Sequence, residues 1–172
     1  MTAESPRYGI RSLAWTSVQE DCFPQHHDTA SWDGSEAISL NRLRGLVIVQ
    51  AAETEAVLGL ILSRLDPTVR LNRPAGELLR MMRAKIDGHC DTEWPPALDV
   101  IERAIKRRNR VVHDSLTVGS TWREYATGGG EWVHVTTTLG EEECDTDTLV
   151  NDLALQQHAT AAAVEVLNCL TI

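Results

Sequence analysis

Three residues near the middle of the chain have the types and spacing for phosphodiester chemistry. They are Arg108, Asn109 and His113, within "RRNRVVHD" at residues 107–114. Cleaving RNA without a metal needs a base to take the 2′-hydroxyl proton or an acid to protonate the leaving 5′-oxygen. Histidine serves either role because its ordinary pKa lies near neutral pH. The reaction also needs a fixed cation where charge develops on phosphorus, and the planar fork of arginine fits phosphate oxygens. Asn109 has the groups to orient either residue or the phosphate. Lys106, Arg107 and Arg110 are candidate contacts for an RNA backbone.

The charge distribution permits such a site. The net charge is −9, which on its own argues against non-specific nucleic-acid binding. Residues 39–110, however, hold 13 of the 16 Lys and Arg against 9 acids. Residues 111–172 hold only Arg123 against ten acids, and residues 1–38 hold two bases against six. A solvated helix face also explains a charge block. A basic cluster at a helix end complements the helix dipole, and a terminal histidine can bond a free carbonyl.

Hydrophobic periodicity supplies the elements that must position these groups. Leu40, Leu43, Val47, Thr54, Leu58, Ile61 and Leu65 recur at three- and four-residue steps, predicting a helix over 39–65 capped by Ser39. A second helix is expected near 74–87, with Pro74 at its start and Gly88 past its end. The third carries Leu98, Ile101 and Ile105, with Val112 and Leu116 continuing the stripe beyond the basic cluster. Alternation on either side of "GGG" predicts a β-hairpin, 121–125 paired with 131–138. A last helix is expected from about 147 to 170, burying Val150, Leu153, Ala161, Val164 and Leu167. Residues 1–38 read as an irregular N-terminal arm, and 39–172 as one helical domain. The expected fold is mainly α: an antiparallel four-helix bundle with a β-hairpin inserted between the third and last helices.

On a straight helix, Arg108 and His113 lie about 140° apart at about 100° per residue. Asn109 and Arg110 lie nearer the face of His113. A cleft shared with another helix or with a second copy of the chain is needed to bring Arg108 and His113 together.

"RNRVVHDS" resembles the R-x(4–6)-H signature of the HEPN superfamily, with Arg108, Asn109, Val111, Val112 and His113 falling on it in order. The resemblance covers residues 39–170. It implies a four-helix bundle with the motif near the end of the third helix. It further implies a metal-independent endoribonuclease acting as a homodimer, with the Arg and His of both chains facing each other across the two-fold. Many such proteins serve as toxins or antiviral effectors, which brings a cognate antitoxin into view as a partner. Other members are non-catalytic nucleotide-binding or dimerisation modules. The family often carries an acid on another helix that steadies the arginine; Glu53 is the first candidate, with Glu55 and Glu77 close behind.

Other features carry less. "HHD" at 26–28, with Cys22 before it, has no second ligand pair at a zinc-like spacing, so no metal and no cofactor are expected. "GHC" at 88–90 follows a helix end. Ser115 lacks a nucleophile elbow, and "GGG" at 128–130 lacks the lysine and helix of a phosphate loop. Trp122 and Trp132 suit packing on the domain better than base stacking. The four cysteines form no C-x-x-C pair, the first residues contain no apolar signal region, and no uninterrupted run of 18 apolar residues occurs. A cytoplasmic protein with no membrane association is expected.

Overall fold

The computed structural model describes residues 8–12, 35–86 and 94–170. Four helices are present among them: α1 (Ser35–Leu65), α2 (Ala75–Ile86), α3 (Pro95–His113) and α4 (Thr146–Cys169). Four strands form one antiparallel sheet in the order β1 (Tyr8–Ser12), β2 (Leu116–Glu124), β3 (Gly130–Leu139) and β4 (Glu142–Glu143). The chain is mainly helical, with strands between α3 and α4. It divides into two compact units, residues 1–44 with 113–149, and residues 45–112 with 150–172.

The first unit contains the sheet. The expected hairpin is present but longer, pairing Leu116 with Leu139 at its base and Glu124 with Gly130 at its tip. A bulge lies between Gly119 and Ser120. The turn needs glycine at Gly128 and Gly129, whose φ values of 86° and 79° favour a residue without Cβ. Two strands extend the hairpin. β1 pairs Tyr8–Ser12 with Thr121–Thr117, so at these residues the stretch expected to be an irregular arm is strand. Leu40, Leu116, Leu139, Cys144 and Leu149 are buried. Asp145 caps α4, accepting the Thr148 N–H at 2.7 Å and its hydroxyl at 2.6 Å.

The second unit is helical. Leu58, Ile61 and Leu62 of α1, Leu78 and Met82 of α2, Leu98 and Ile101 of α3, and Ala159, Ala163 and Val166 of α4 share one buried cluster. The helices do not alternate in direction as expected. Gln50 bonds Thr160 and Arg64 bonds the Leu167 carbonyl, so α1 and α4 run parallel. Arg107 meets Asp152 and Gln156 meets Ala104, so α3 and α4 are antiparallel. The nine-residue stretch 66–74 returns along α1 before α2 begins, which makes α1 and α2 parallel as well. Lys85 at the end of α2 accordingly reaches Asp66 at the end of α1, 2.6 Å away.

Hydrogen bonds from Lys85 and Thr68 hold the Asp66 carboxyl well below the ordinary carboxylate range. A depressed folded-state pKa contributes stability that is present above the unfolded value and lost as pH falls through the folded one. Asp66→Asn is therefore expected to melt below the wild type at neutral pH. The gap should close only at pH values below about 4, where the unfolded carboxyl is protonated. Melting curves across pH test this, and a gap that is independent of pH refutes it.

The face buried by α4 also differs from expectation. Val150 and Val164 are 45% and 38% exposed, while Leu149, Asp152, Gln156, Ala159, Ala163 and Val166 are buried. Polar side chains hold this face because each has a partner. The Gln156 amide donates to the Ala104 carbonyl at 2.8 Å, and the Thr54 and Thr160 hydroxyls bond at 2.9 Å.

Helix α1 is apolar on two opposite faces. Leu58, Ile61 and Leu62 are buried, whereas Leu46, Val49 and Leu60 on the other side are 46%, 62% and 55% exposed. Its span Leu40–Leu65, with mean hydropathy 1.7, is long and apolar enough to cross a membrane. A helix packed on both sides within protein needs the same composition.

Candidate functional site on helix α3

Arg108 sits three residues before Val111, four after Ala104 and seven after Ile101, all buried. It therefore occupies the middle of the inward stripe of α3, and its side chain is 21% exposed. A cation there needs an acid. Glu55 of α1 supplies it, with Oε2 at 3.2 Å from Nη2.

Glu53 does not take that role. It is exposed, four residues after Val49 on the outward face of α1, whereas Glu55 stands three before buried Leu58. Glu77 pairs with Arg73.

Arg107 is also engaged. Its Nε and Nη2 donate to the two carboxylate oxygens of Asp152 at 2.8 and 2.9 Å. Asp152 is 7% exposed and Arg107 29%. Two of its guanidinium nitrogens are thus directed at α4, which gives Arg107 a structural pairing. Arg110 is half-buried and has other interactions. Lys106 is 72% exposed and pairs with Glu102 at 2.7 Å, one turn earlier.

Asn109 and His113 are exposed, and neither side chain makes a hydrogen bond or ion pair among the described residues. His113 is the last residue of α3. The backbone just after it is fixed twice. Arg44 Nη2 donates to the Asp114 carbonyl at 2.7 Å, and the Gly140 N–H donates to the Ser115 carbonyl at 2.9 Å. A guanidinium at this point satisfies a carbonyl just beyond the helix end. Burial pulls the Arg44 guanidinium below its ordinary value, against the opposing effect of Asp114 and Cys144. Nothing in the local pattern around Arg44 marks this role, because the partner is a backbone carbonyl 70 residues away in sequence.

Gly140 has φ 62°, and a Cβ there would lie 3.0 Å from Asp114 Oδ2. Gly140→Ala is expected to cost about 1–2 kcal/mol from the left-handed backbone alone. Chemical denaturation measures it; stability equal to wild type would show that the segment relaxes freely.

The "HHD" and "GHC" stretches lie outside the described residues. No group of three His, Cys, Asp or Glu suited to a metal occurs among the described residues. Trp122 and Trp132 are cross-strand partners in the sheet register. Ser115 is exposed and enters the fold through its carbonyl.

The chain matches no family model, no curated protein and no solved structure. The residues of α3 therefore carry the functional reading.

Proposed function

We propose that the chain is a HEPN-like endoribonuclease that cleaves RNA without a metal, acting as a homodimeric cytoplasmic toxin or antiviral effector under the control of a cognate antitoxin. The observation that carries this reading is the pairing of Arg108 with Glu55 on another helix, while Asn109 and His113 stay exposed on the same α3. An acid that steadies the motif arginine is what the resemblance implies.

In this reading the 2′-oxygen attacks phosphorus, the bond to the 5′-oxygen breaks, and a 2′,3′-cyclic phosphate forms. His113 takes the 2′-hydroxyl proton or returns one to the leaving oxygen. Arg108 stabilises the charge that develops on the phosphoryl oxygens, and Asn109 orients the phosphate. Arg108 and His113 stand about 140° apart on α3. One copy thus presents them on different sides, and a second copy supplies the missing half. The outward apolar face of α1, with Leu46, Val49 and Leu60, supports self-association.

A second reading has its own support. Arg108 lies on the inward stripe and is largely covered, which suits a non-catalytic HEPN-like module that dimerises or binds nucleotides.

The test incubates purified protein with RNA in EDTA and measures its mass in solution. Dimers that generate 2′,3′-cyclic ends support the nuclease. Dimers that leave RNA intact favour the module. Monomers that neither cleave RNA nor gain thermal stability with nucleotides reject both.

A further inference from the structure

A groove of about 360 Å³ runs between α2 and α3. Leu79 and Ile105 form its apolar floor, and Arg80, Arg83 and Lys106 line it with Glu102. Glu102 lies between two cations, accepting from Arg83 Nη2 at 2.8 Å and from Lys106 at 2.7 Å. The Lys106 bond and charge, then Arg83, hold its carboxyl below the ordinary range, so it stays ionised and fixes both cations in place. Asp99 also accepts from Arg83 Nη2, at 3.1 Å. Only that nitrogen of Arg83 is bonded among the described residues; its Nε is buried without a partner. Arg80 is 76% exposed and stands 3.9 Å from Glu77, which is already paired with Arg73. The groove thus combines an apolar floor with cations that retain unused donors.

Its position on α3 matters as much as its lining. At about 100° per residue, Lys106, Asn109 and His113 fall within a sector of about 60°. Glu102, one turn before Lys106, continues the same stripe. The rise from Lys106 to His113 is about 10 Å. A strand with its reacting phosphate at His113 can follow this stripe past Asn109 into the groove.

We infer that the groove is a subsite for single-stranded RNA. Arg80 and Lys106 hold backbone phosphates, and a base rests on Leu79 and Ile105. The inference rests on the nuclease reading above for its substrate, and it concerns residues that reading does not use for chemistry.

Its test uses a fluorescent 2′-O-methyl RNA, which lacks the nucleophilic hydroxyl and reports binding alone. Anisotropy titrations over a range of salt compare the wild type, Arg80→Gln with Lys106→Gln, and Arg70→Gln. Arg70 is exposed and does not line the groove. The double variant is expected to bind about tenfold more weakly, with a salt slope reduced by about 1.4, or about 0.7 for each phosphate that is no longer neutralised. Arg70→Gln is expected to follow the wild type. The inference is overturned if the double variant binds like the wild type, if Arg70→Gln weakens binding equally, or if the wild type does not bind. Cleavable RNA gives a separate readout: groove-dependent binding without cleavage defeats the nuclease alone, and cleavage with groove-independent binding defeats the subsite alone.

Discussion

His113→Ala is expected to lower RNA cleavage in EDTA by about 100- to 10,000-fold, the usual contribution of a positioned acid or base. Its melting temperature should match that of the wild type. His113 is exposed and ends its helix, and its side chain bonds no described residue, so its removal leaves no cavity and no orphaned partner. Arg108→Ala should behave differently. It removes the cation proposed to stabilise the phosphate and leaves Glu55 without its partner on the covered side of α3, so both activity and melting temperature should fall. The contrast between the two variants is the informative result. If His113→Ala lost both stability and activity, the histidine would be a structural helix terminus. If wild type and both variants cleaved equally, the activity would come from a contaminant and the nuclease assignment would end.

The largest stability effect is expected at Asp152. Its carboxylate accepts two hydrogen bonds from Arg107 and is 7% exposed. Asp152→Ala removes both bonds that the half-buried Arg107 guanidinium makes to α4, at a cost of about 3 kcal/mol, the low end for breaking a buried pair because Arg107 retains some water contact. For a chain of this length that is a fall in melting temperature of about 6–12 °C. Arg107→Leu with Asp152→Leu should recover much of that stability, since a packed apolar pair avoids the desolvation that the charges bear. Calorimetry on the two variants decides the matter, and an Asp152→Ala protein that melts with the wild type would remove the lock between α3 and α4. The same pair separates the two adjacent arginines. Arg107→Ala is expected to act mainly through the fold, whereas the proposed mechanism places the larger RNA phenotype at Arg108.

The helices and the hairpin are legible in the sequence because their periods are local. The stripe through Val47, Thr54, Leu58 and Ile61 has the helical period, and these residues are buried. The hairpin follows from alternation around three glycines, two of which adopt positive φ. The strand at Tyr8–Ser12 is not legible, because the β2 residues that pair with it lie more than 100 positions away. The buried face of α4 departs from its hydrophobic pattern for a related reason. Hydrophobicity counts Asp152 and Gln156 as outward-facing, yet Arg107 and the Ala104 carbonyl satisfy them inside.

The sequence by itself determined which residues gather on α3: their order, their charge and the angle between Arg108 and His113. Those depend only on helix geometry and residue chemistry. Tertiary structure alone decided their partners. It put Arg108 on Glu55 rather than Glu53, spent Arg107 on Asp152, and left Asn109 and His113 exposed. A side chain's partner is set by which helix faces meet across tens of residues of intervening chain, and no local pattern encodes that meeting.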